Sequence, residues 1–448
     1  MRKSRKGHEV TSLRNAVTIA ITNCCLAVVL FVISVVLARA LGPEGHGKYS
    51  SLVSWPSWIC LVALLGVHTF LARQAAILPQ NRQQNYRIGL SAIAVLGAAA
   101  FVLFNLAIQF EWTGVRHADP ALALLASLMI PFGMGTAFQA EMERALMNYF
   151  KYNVVRSAFI LVFAALLLLA WLFFAINVTT CVVSFVLANI AAFAISQVTV
   201  RSHLTTTGSS ESLQSFRVLL QSARSFALLS SVYHLSIALD WMLVSIFLSH
   251  RDMGLYMIAL IIAQVPDIFT TAVSTQFFGR IAAYGSLKAA PGEWLSMRLR
   301  QFLLFNLVLT IVTMMAAPLV IRVFFGDAFA SSSWLAQLLL PVIFMRSGAR
   351  ACEEVLKGAG LPQICTKIRL LTIVLLAITG GYSVAIAGSL PLLLFFLLAV
   401  NSLQFVLMLV AVTREAGLPF GACLWPRRSD LREFANSLRQ LRQTRGGE

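Results

Sequence analysis

The sequence predicts an all-α integral membrane protein with about 12 transmembrane helices, arranged as two six-helix lobes related by a parallel pseudo-two-fold repeat. Three observations predict this fold. Hydrophobic residues make up 58% of the 448 residues and charged residues only 12%, which is more apolar surface than a water-soluble domain can bury. The apolar residues fall into stretches long enough to span a bilayer. Segments of the first half of the chain recur in the second half.

The apolar stretches divide the chain into two lobes, a linker and two basic ends. A helix needs roughly 20 apolar residues to cross a bilayer, and such stretches begin near residues 15, 52, 88, 120, 153, 177, 216, 253, 301, 333, 369 and 391. The first stretch is too long for the core of a signal peptide, so we expect a retained helix. The predicted parts are a basic N-terminus (1–14), an N-lobe of six spans (15–200), a polar linker (201–215), a C-lobe of six spans (216–414) and a basic tail (415–448). The tail has the pattern of an amphipathic helix on the inner leaflet, with disorder as the alternative.

An internal repeat supports the two-lobe arrangement. Gly47 and Tyr49 recur as Gly254 and Tyr256, 207 residues later. Since six spans return the chain to the side where it started, both lobes insert in the same orientation, and the axis that relates them lies along the membrane normal. We expect the substrate path to lie between the lobes.

The charge of +17 is explained by membrane topology. If the N-terminus is cytoplasmic, the inner segments hold 24 of the 35 Lys and Arg residues and the outer loops hold only five. Cytoplasmic loops carry such an excess of positive charge. We therefore predict a multi-pass protein with both termini in the cytoplasm, and no nucleic-acid partner.

Motifs for chemistry are missing from the sequence. It contains no Gly-rich phosphate loop, no HExxH, no metal-spaced Cys/His cluster and no nucleophile motif. The seven cysteines are odd in number and lie mostly in spans, so they do not form a disulfide framework. We expect a transporter and not an enzyme, with no cofactor and no metal.

One segment carries a family resemblance. The stretch from Leu37 to Tyr49, LARALGPEGHGKY, resembles the LAR-LGP-x-x-x-G-x-Y signature of the bacterial polysaccharide-biosynthesis and O-antigen flippases. These belong to the multidrug/oligosaccharidyl-lipid/polysaccharide exporter superfamily, and the resemblance extends over roughly residues 10–415. It implies a flippase that moves an undecaprenyl-diphosphate-linked oligosaccharide across the bacterial inner membrane for O-antigen, capsule or exopolysaccharide assembly. The implied partners are this lipid-linked oligosaccharide, inner-membrane lipids, and polysaccharide polymerase and assembly proteins.

Other functions stay open. A membrane glycan polymerase or ligase would also handle lipid-linked glycans, but the short outer loops leave little room for an active site on that side. A drug/cation antiporter of the same superfamily would favour an acidic interior, whereas this interior is at least as rich in arginine. A carrier of the major facilitator type is disfavoured because the loop after span two lacks the Gly-x-x-x-Asp-Arg pattern of that family.

The tenth span holds the strongest candidates for substrate contact. Its charged residues are Arg346, Arg350, Glu353 and Glu354, and their spacing predicts that the arginines share a helix face with one of the glutamates. Arginine suits a diphosphate because its planar fork donates two parallel hydrogen bonds. The alternative is an ion-pair ladder that holds this span against its neighbours.

The repeat helps to separate these possibilities. Glu143 of the first half corresponds to Glu353, whereas the counterparts of the two arginines are Thr136 and Ala140. The shared glutamates therefore favour an architectural role and the unshared arginines a specialised one.

Two further arginines, Arg73 and Arg280, occupy matching repeat positions near the cytoplasmic ends of their spans. We predict a symmetric pair of diphosphate contacts at the cytoplasmic mouth. Snorkelling of the long side chains to the interface is the alternative.

Two acidic residues are candidates for ion coupling. Asp240 lies inside span seven and Asp267 follows Pro266 in span eight, where a carboxylate is costly unless hydrated, paired or protonated. Either could carry H+ or Na+. A salt bridge to an interior arginine is the alternative.

Overall fold

The architecture is known from a computed structural model that describes residues 2–77, 82–110, 119–201 and 216–424. Over these ranges the chain is helical and contains no β-strand. Most of the predicted linker and the tail from residue 425 lie outside the described residues, so the amphipathic tail helix stays a prediction.

The helices form two compact units, Met1–Met257 and Ile258–Glu448. This division reflects packing contacts between helices and does not test the lobe boundaries that the sequence repeat predicts, so those boundaries stay a prediction. The first unit holds α1 (Arg2–Ala63), α2 (Val67–Ile77), α3 (Arg82–Gln109), α4 (Pro120–Ser127), α5 (Met129–Ala145), α6 (Tyr149–Phe173), α7 (Val178–Arg201), α8 (Phe216–Phe247) and the start of α9 (His250–Ala263). The second holds the end of α9, then α10 (Val265–Tyr284), α11 (Gly292–Val320), α12 (Ser332–Gly358), α13 (Pro362–Gly381) and α14 (Leu390–Ala416).

The membrane-spanning helices of the structure match the predicted spans, and two of them, α1 and α12, have unusual features. Among the described residues, nine helices are long and apolar enough to cross a membrane, or ten if the bent pair α9 and α10 forms one span. Helix α1 is one of these nine helices, but it is broken at Gly42 and so comprises two spans. Helix α12 is not among the nine because Arg346 and other polar residues lower its mean hydropathy. With α1 divided and α12 included, the described helices account for the 12 predicted spans.

The break in α1 explains part of the signature segment. Gly42 has φ 64° and ψ 177°, a backbone conformation that is essentially restricted to glycine. Pro43 follows it and begins the second part of the helix, where a missing N–H has no cost. The Gly-Pro pair therefore ends one span and starts the next.

The repeated glycines lie at a close helix crossing in the first unit. A Cβ on Gly47 would lie 1.6 Å from the carbonyl oxygen of His250, and a Cβ on Gly254 would lie 2.0 Å from that of Pro43. Only glycine allows backbones to approach so closely. The two repeat-related segments thus meet at their glycines, which gives the shared Gly-x-Tyr pattern a structural reason.

Helix α12 is the centre of the second unit. It packs against α10, α11, α13 and α14. The apolar core of this unit is built from one side of each of these helices, and includes Phe277, Leu299, Phe302, Val355, Leu356, Cys365, Met408 and Val412. Polar residues of α12 therefore face neighbouring helices.

Candidate substrate and coupling site

Arg350 and Asp267 form the centre of the site. Arg350 Nη1 lies 2.9 Å from Asp267 Oδ2, and the same guanidinium donates to the hydroxyl of Thr271. Ser347 Oγ donates to the other carboxylate oxygen of Asp267 at 2.8 Å. About a fifth of each charged side chain is exposed, 20% for Arg350 and 22% for Asp267. The site therefore joins α12 to α10 through an ion pair that other molecules can still reach.

The position of Asp267 has a local cause. It lies in the first turn of α10, directly after Pro266, where the unpaired N–H groups of a helix favour negative charge. The ion-pair alternative predicted for Asp267 is the arrangement that the structure shows. A role of Asp267 in carrying H+ or Na+ stays a prediction.

Arg346 lies one helical turn before Arg350 and contacts a different helix. Its Nε donates to Asn401 Oδ1 of α14 at 3.0 Å, and the Asn401 amide is itself held by a bond to the Leu397 carbonyl at 2.6 Å. Asn401 is neutral, so this contact orients the guanidinium without cancelling its charge.

Glu353 belongs to a second cluster of charged residues, in which its partners are Arg369 and Lys357. Its carboxylate accepts from Arg369 Nε of α13 at 3.0 Å and lies 2.7 Å from Lys357 Nζ. Only 2% of the Glu353 side chain and 7% of the Arg369 side chain are exposed. Glu354 is 3.4 Å from Lys357. Glu353 therefore pairs with a residue of α13, whereas Arg346 contacts α14 and Arg350 contacts α10.

Several residues of these clusters were not predicted as site residues, among them Arg369, Asn401 and Thr271. Arg369 lies in the second turn of α13 and is buried against Glu353. Asn401 and Thr271 are uncharged polar residues within predicted spans. Their position within a span was the only available signal, since such polar residues usually pair across helices.

The other predicted residues lie elsewhere. Arg73 of α2 and Arg280 of α10 are both exposed, and the Arg280 guanidinium lies 5.7 Å from the ring centre of Trp294. This exposure fits both substrate contact and snorkelling, so both stay predictions.

Two carboxylates of the first unit are fully buried. Asp240 of α8 accepts a hydrogen bond from the backbone N–H of Trp241 at 2.8 Å, and neither Asp240 nor Glu143 of α5 has any exposed surface. Glu143 and its repeat counterpart Glu353 are thus both buried, as residues with an architectural role would be. The coupling role of Asp240 and the architectural role of the two glutamates stay predictions.

Comparison with known proteins now identifies the family. Residues 12–278, more than half of the chain, match the family model described as "Polysaccharide biosynthesis protein". The chain belongs to this polysaccharide biosynthesis protein family. No curated protein sequence matches it significantly.

Solved structures of membrane transporters share the fold. An inward-facing multidrug resistance MATE family transporter of the MOP superfamily has a TM-score of 0.69 at 12% identity, covering 89% of this chain and 99% of its own. The lipid II flippase MurJ in an inward closed conformation has a TM-score of 0.64 at 14% identity, covering 89% of each chain. A MATE transporter in the bent conformation has a TM-score of 0.61 at 13% identity, covering 90% of this chain and 96% of its own.

These matches confirm the predicted family and the predicted fold class, a multi-pass all-α membrane protein. The prediction of a transporter and not an enzyme agrees with that family and fold.

Proposed function

We propose that this polysaccharide biosynthesis family protein is a flippase. It moves an undecaprenyl-diphosphate-linked oligosaccharide across the bacterial inner membrane by alternating access, with both termini in the cytoplasm. The translocated lipid then serves a polysaccharide polymerase and assembly proteins that build O-antigen, capsule or exopolysaccharide. The observation that carries the proposal is the pair of arginines, Arg346 and Arg350, one turn apart on the central helix of the second unit.

The chemistry of the substrate calls for such a pair. A diphosphate is anionic, and its passage through hydrocarbon needs a polar and locally positive route. Residues four apart on a helix have Cβ atoms about 5–6 Å apart, so two long arginine side chains can reach neighbouring phosphate groups. Arg346 is oriented by Asn401 and Arg350 by Asp267 and Thr271, which reduces the entropy lost when they bind.

Asp267 gives the site a means of coupling. The diphosphate and the Asp267 carboxylate compete for the same Arg350 guanidinium. When substrate takes the guanidinium, Asp267 loses its partner in the ion pair, and a coupling cation can take the place of that guanidinium. Binding of substrate and binding of a cation to Asp267 are therefore linked, as coupled transport requires.

A second candidate is a drug/cation antiporter, which the buried carboxylate of Asp240 favours. Such an antiporter would bind cationic compounds through acidic residues, and neutralising Arg346 would not reduce its transport. A membrane glycan polymerase or ligase would lengthen or transfer glycans. Both are distinguished from a flippase by the assay below.

The test is translocation in proteoliposomes. An undecaprenyl-diphosphate-linked oligosaccharide is supplied without glycosyl acceptor, and its movement is followed by accessibility to an added glycosidase. We expect Arg346→Ala and Arg350→Ala to slow translocation by about tenfold or more, because a hydrogen bond to a charged group is worth roughly 1.5–3 kcal/mol.

Control variants separate function from folding. Arg322→Ala removes an arginine that is 78% exposed in the segment after α11, and should leave transport unchanged. Arg350→Lys keeps a positive charge beside Asp267 but loses the guanidinium fork, and should insert normally while transporting slowly. Normal transport by both alanine variants would remove the proposed site.

A further inference from the structure

A long apolar groove runs along the surface of the first unit between α1 and α6. Its volume is about 840 Å³, and its walls are aliphatic apart from Arg39 and Trp171. Val32 and Leu168 lie on opposite walls and are more than half exposed. The groove size is that of a site for a drug-sized ligand, about 300–1,000 Å³.

The groove covers one half of the predicted membrane thickness. It extends along α1 from Val28 to Ala40, a distance of about 18 Å at 1.5 Å per residue, against a bilayer core of roughly 30 Å. Arg39 and Trp171 lie at one end, which the predicted topology places on the extracytoplasmic side. Trp is the residue that marks such interfaces. The aliphatic part therefore lies in the outer leaflet and the guanidinium at the level of lipid phosphates.

We propose that this groove binds the polyprenyl chain of the translocated lipid in the outer leaflet, while Arg39 binds its diphosphate. The inference rests on the proposed function, and it adds a second lipid site on residues different from those of α12. The groove lies between two helices, and its aliphatic lining suits the hydrocarbon of a polyprenyl chain. The charge of exposed Arg39 complements the diphosphate.

Selectivity of this site must come from Arg39 and from shape. Lipid tails are as apolar as the groove walls, so no hydrophobic effect favours one chain over another within the membrane. The charge-assisted contact of Arg39 and the steric fit of the chain remain as sources of preference. Loss of either should therefore weaken preferential binding.

Photocrosslinking tests the proposal. The full-length protein is placed in nanodiscs of phosphatidylcholine and phosphatidylglycerol with undecaprenyl diphosphate that carries a diazirine in its chain, and labelled peptides are identified by mass spectrometry. We expect labels in residues 28–40 of α1 and 164–171 of α6. Arg39→Ala should lower this labelling on the order of tenfold, since it removes a hydrogen bond to a charged group.

Matched variants test the two sources of preference separately. Val32→Trp fills the groove and should abolish its labelling, while Leu172→Trp adds the same bulk at an exposed position of α6 outside the groove and should leave labelling unchanged. Arg251→Ala removes another exposed arginine on the extracytoplasmic side and should also have no effect. Arg39→Lys keeps the charge and should retain part of the labelling.

Three results would overturn the groove as a site for this lipid: even labelling over all lipid-facing helices, equal competition by phosphatidylglycerol, or unchanged labelling in Arg39→Ala. The proposed function is tested apart from this, by translocation of the wild-type protein. Translocation without groove labelling would remove the groove and leave the flippase. Groove labelling without translocation would leave the lipid site and remove the flippase.

Discussion

The buried ion pair between Glu353 and Arg369 makes a prediction about stability. Glu353→Gln keeps the size of the side chain but removes the negative charge that Arg369 contacts. Only 2% of the Glu353 side chain and 7% of the Arg369 side chain are exposed. Removing one partner of a buried pair typically costs about 3–5 kcal/mol, because the remaining charge is left in a medium of low dielectric. Since folded proteins are stable by about 5–15 kcal/mol, this substitution should remove a large part of the stability.

The matched control is an exposed ion pair of the same unit. Arg322 and Asp327 lie 3.3 Å apart with 78% and 84% of their side chains exposed, so Asp327→Asn should cost less than about 1 kcal/mol. Free energies of unfolding are measured in mixed micelles by denaturant titration. The double variant Glu353→Leu with Arg369→Met should recover most of the loss, since apolar residues can replace a buried pair.

Equal costs for Glu353→Gln and Asp327→Asn would refute this reasoning. They would mean that the Arg369 guanidinium reaches water when Glu353 is neutralised. The pair would then be held at the interface and not inside the helix bundle.

Two further predictions concern the helix crossing and the coupling residue. Gly47→Ala and Gly254→Ala should each destabilise the protein by about 1–3 kcal/mol, because their Cβ atoms would collide with backbone carbonyls. Gly279→Ala, where a Cβ would meet nothing within 4 Å, should not destabilise it, and equal melting temperatures for all three variants would contradict the close crossing. Asp267→Asn should keep a polar contact with Arg350 but remove the response of translocation to a pH or sodium gradient. An unchanged response to both gradients would exclude Asp267 as the coupling residue.

The fold was largely predictable because a bilayer imposes simple requirements. Hydropathy located the spans, and the repeat of Gly47 at Gly254 located two positions that meet at one crossing. The break between the first two spans falls at Gly42-Pro43, inside the signature segment. What hydropathy did not predict is that the first two spans follow each other without a loop, separated only by the break at Gly42.

The site was predictable in its residues but not in their partners. The sequence singled out Arg350 and Asp267 separately, yet the contact joins positions 83 residues apart and depends on how α10 packs against α12. Arg369 was not predicted as a site residue because charge near the end of a span looks the same whether it snorkels or turns inward. The groove beside Arg39 gave no signal, since its aliphatic walls have the same composition as any lipid-facing surface.

The most direct test of the central claim is transbilayer movement of the lipid-linked oligosaccharide by the purified protein. Proteoliposomes that lack any glycosyl acceptor are loaded with an undecaprenyl-diphosphate-linked oligosaccharide, and the fraction open to external glycosidase is followed in time. We predict rapid loss of protection with the wild-type protein and slow loss with Arg346→Ala and Arg350→Ala. Protection that is equal with and without the protein would contradict the flippase assignment, and longer or transferred glycans on addition of acceptor would favour an enzyme.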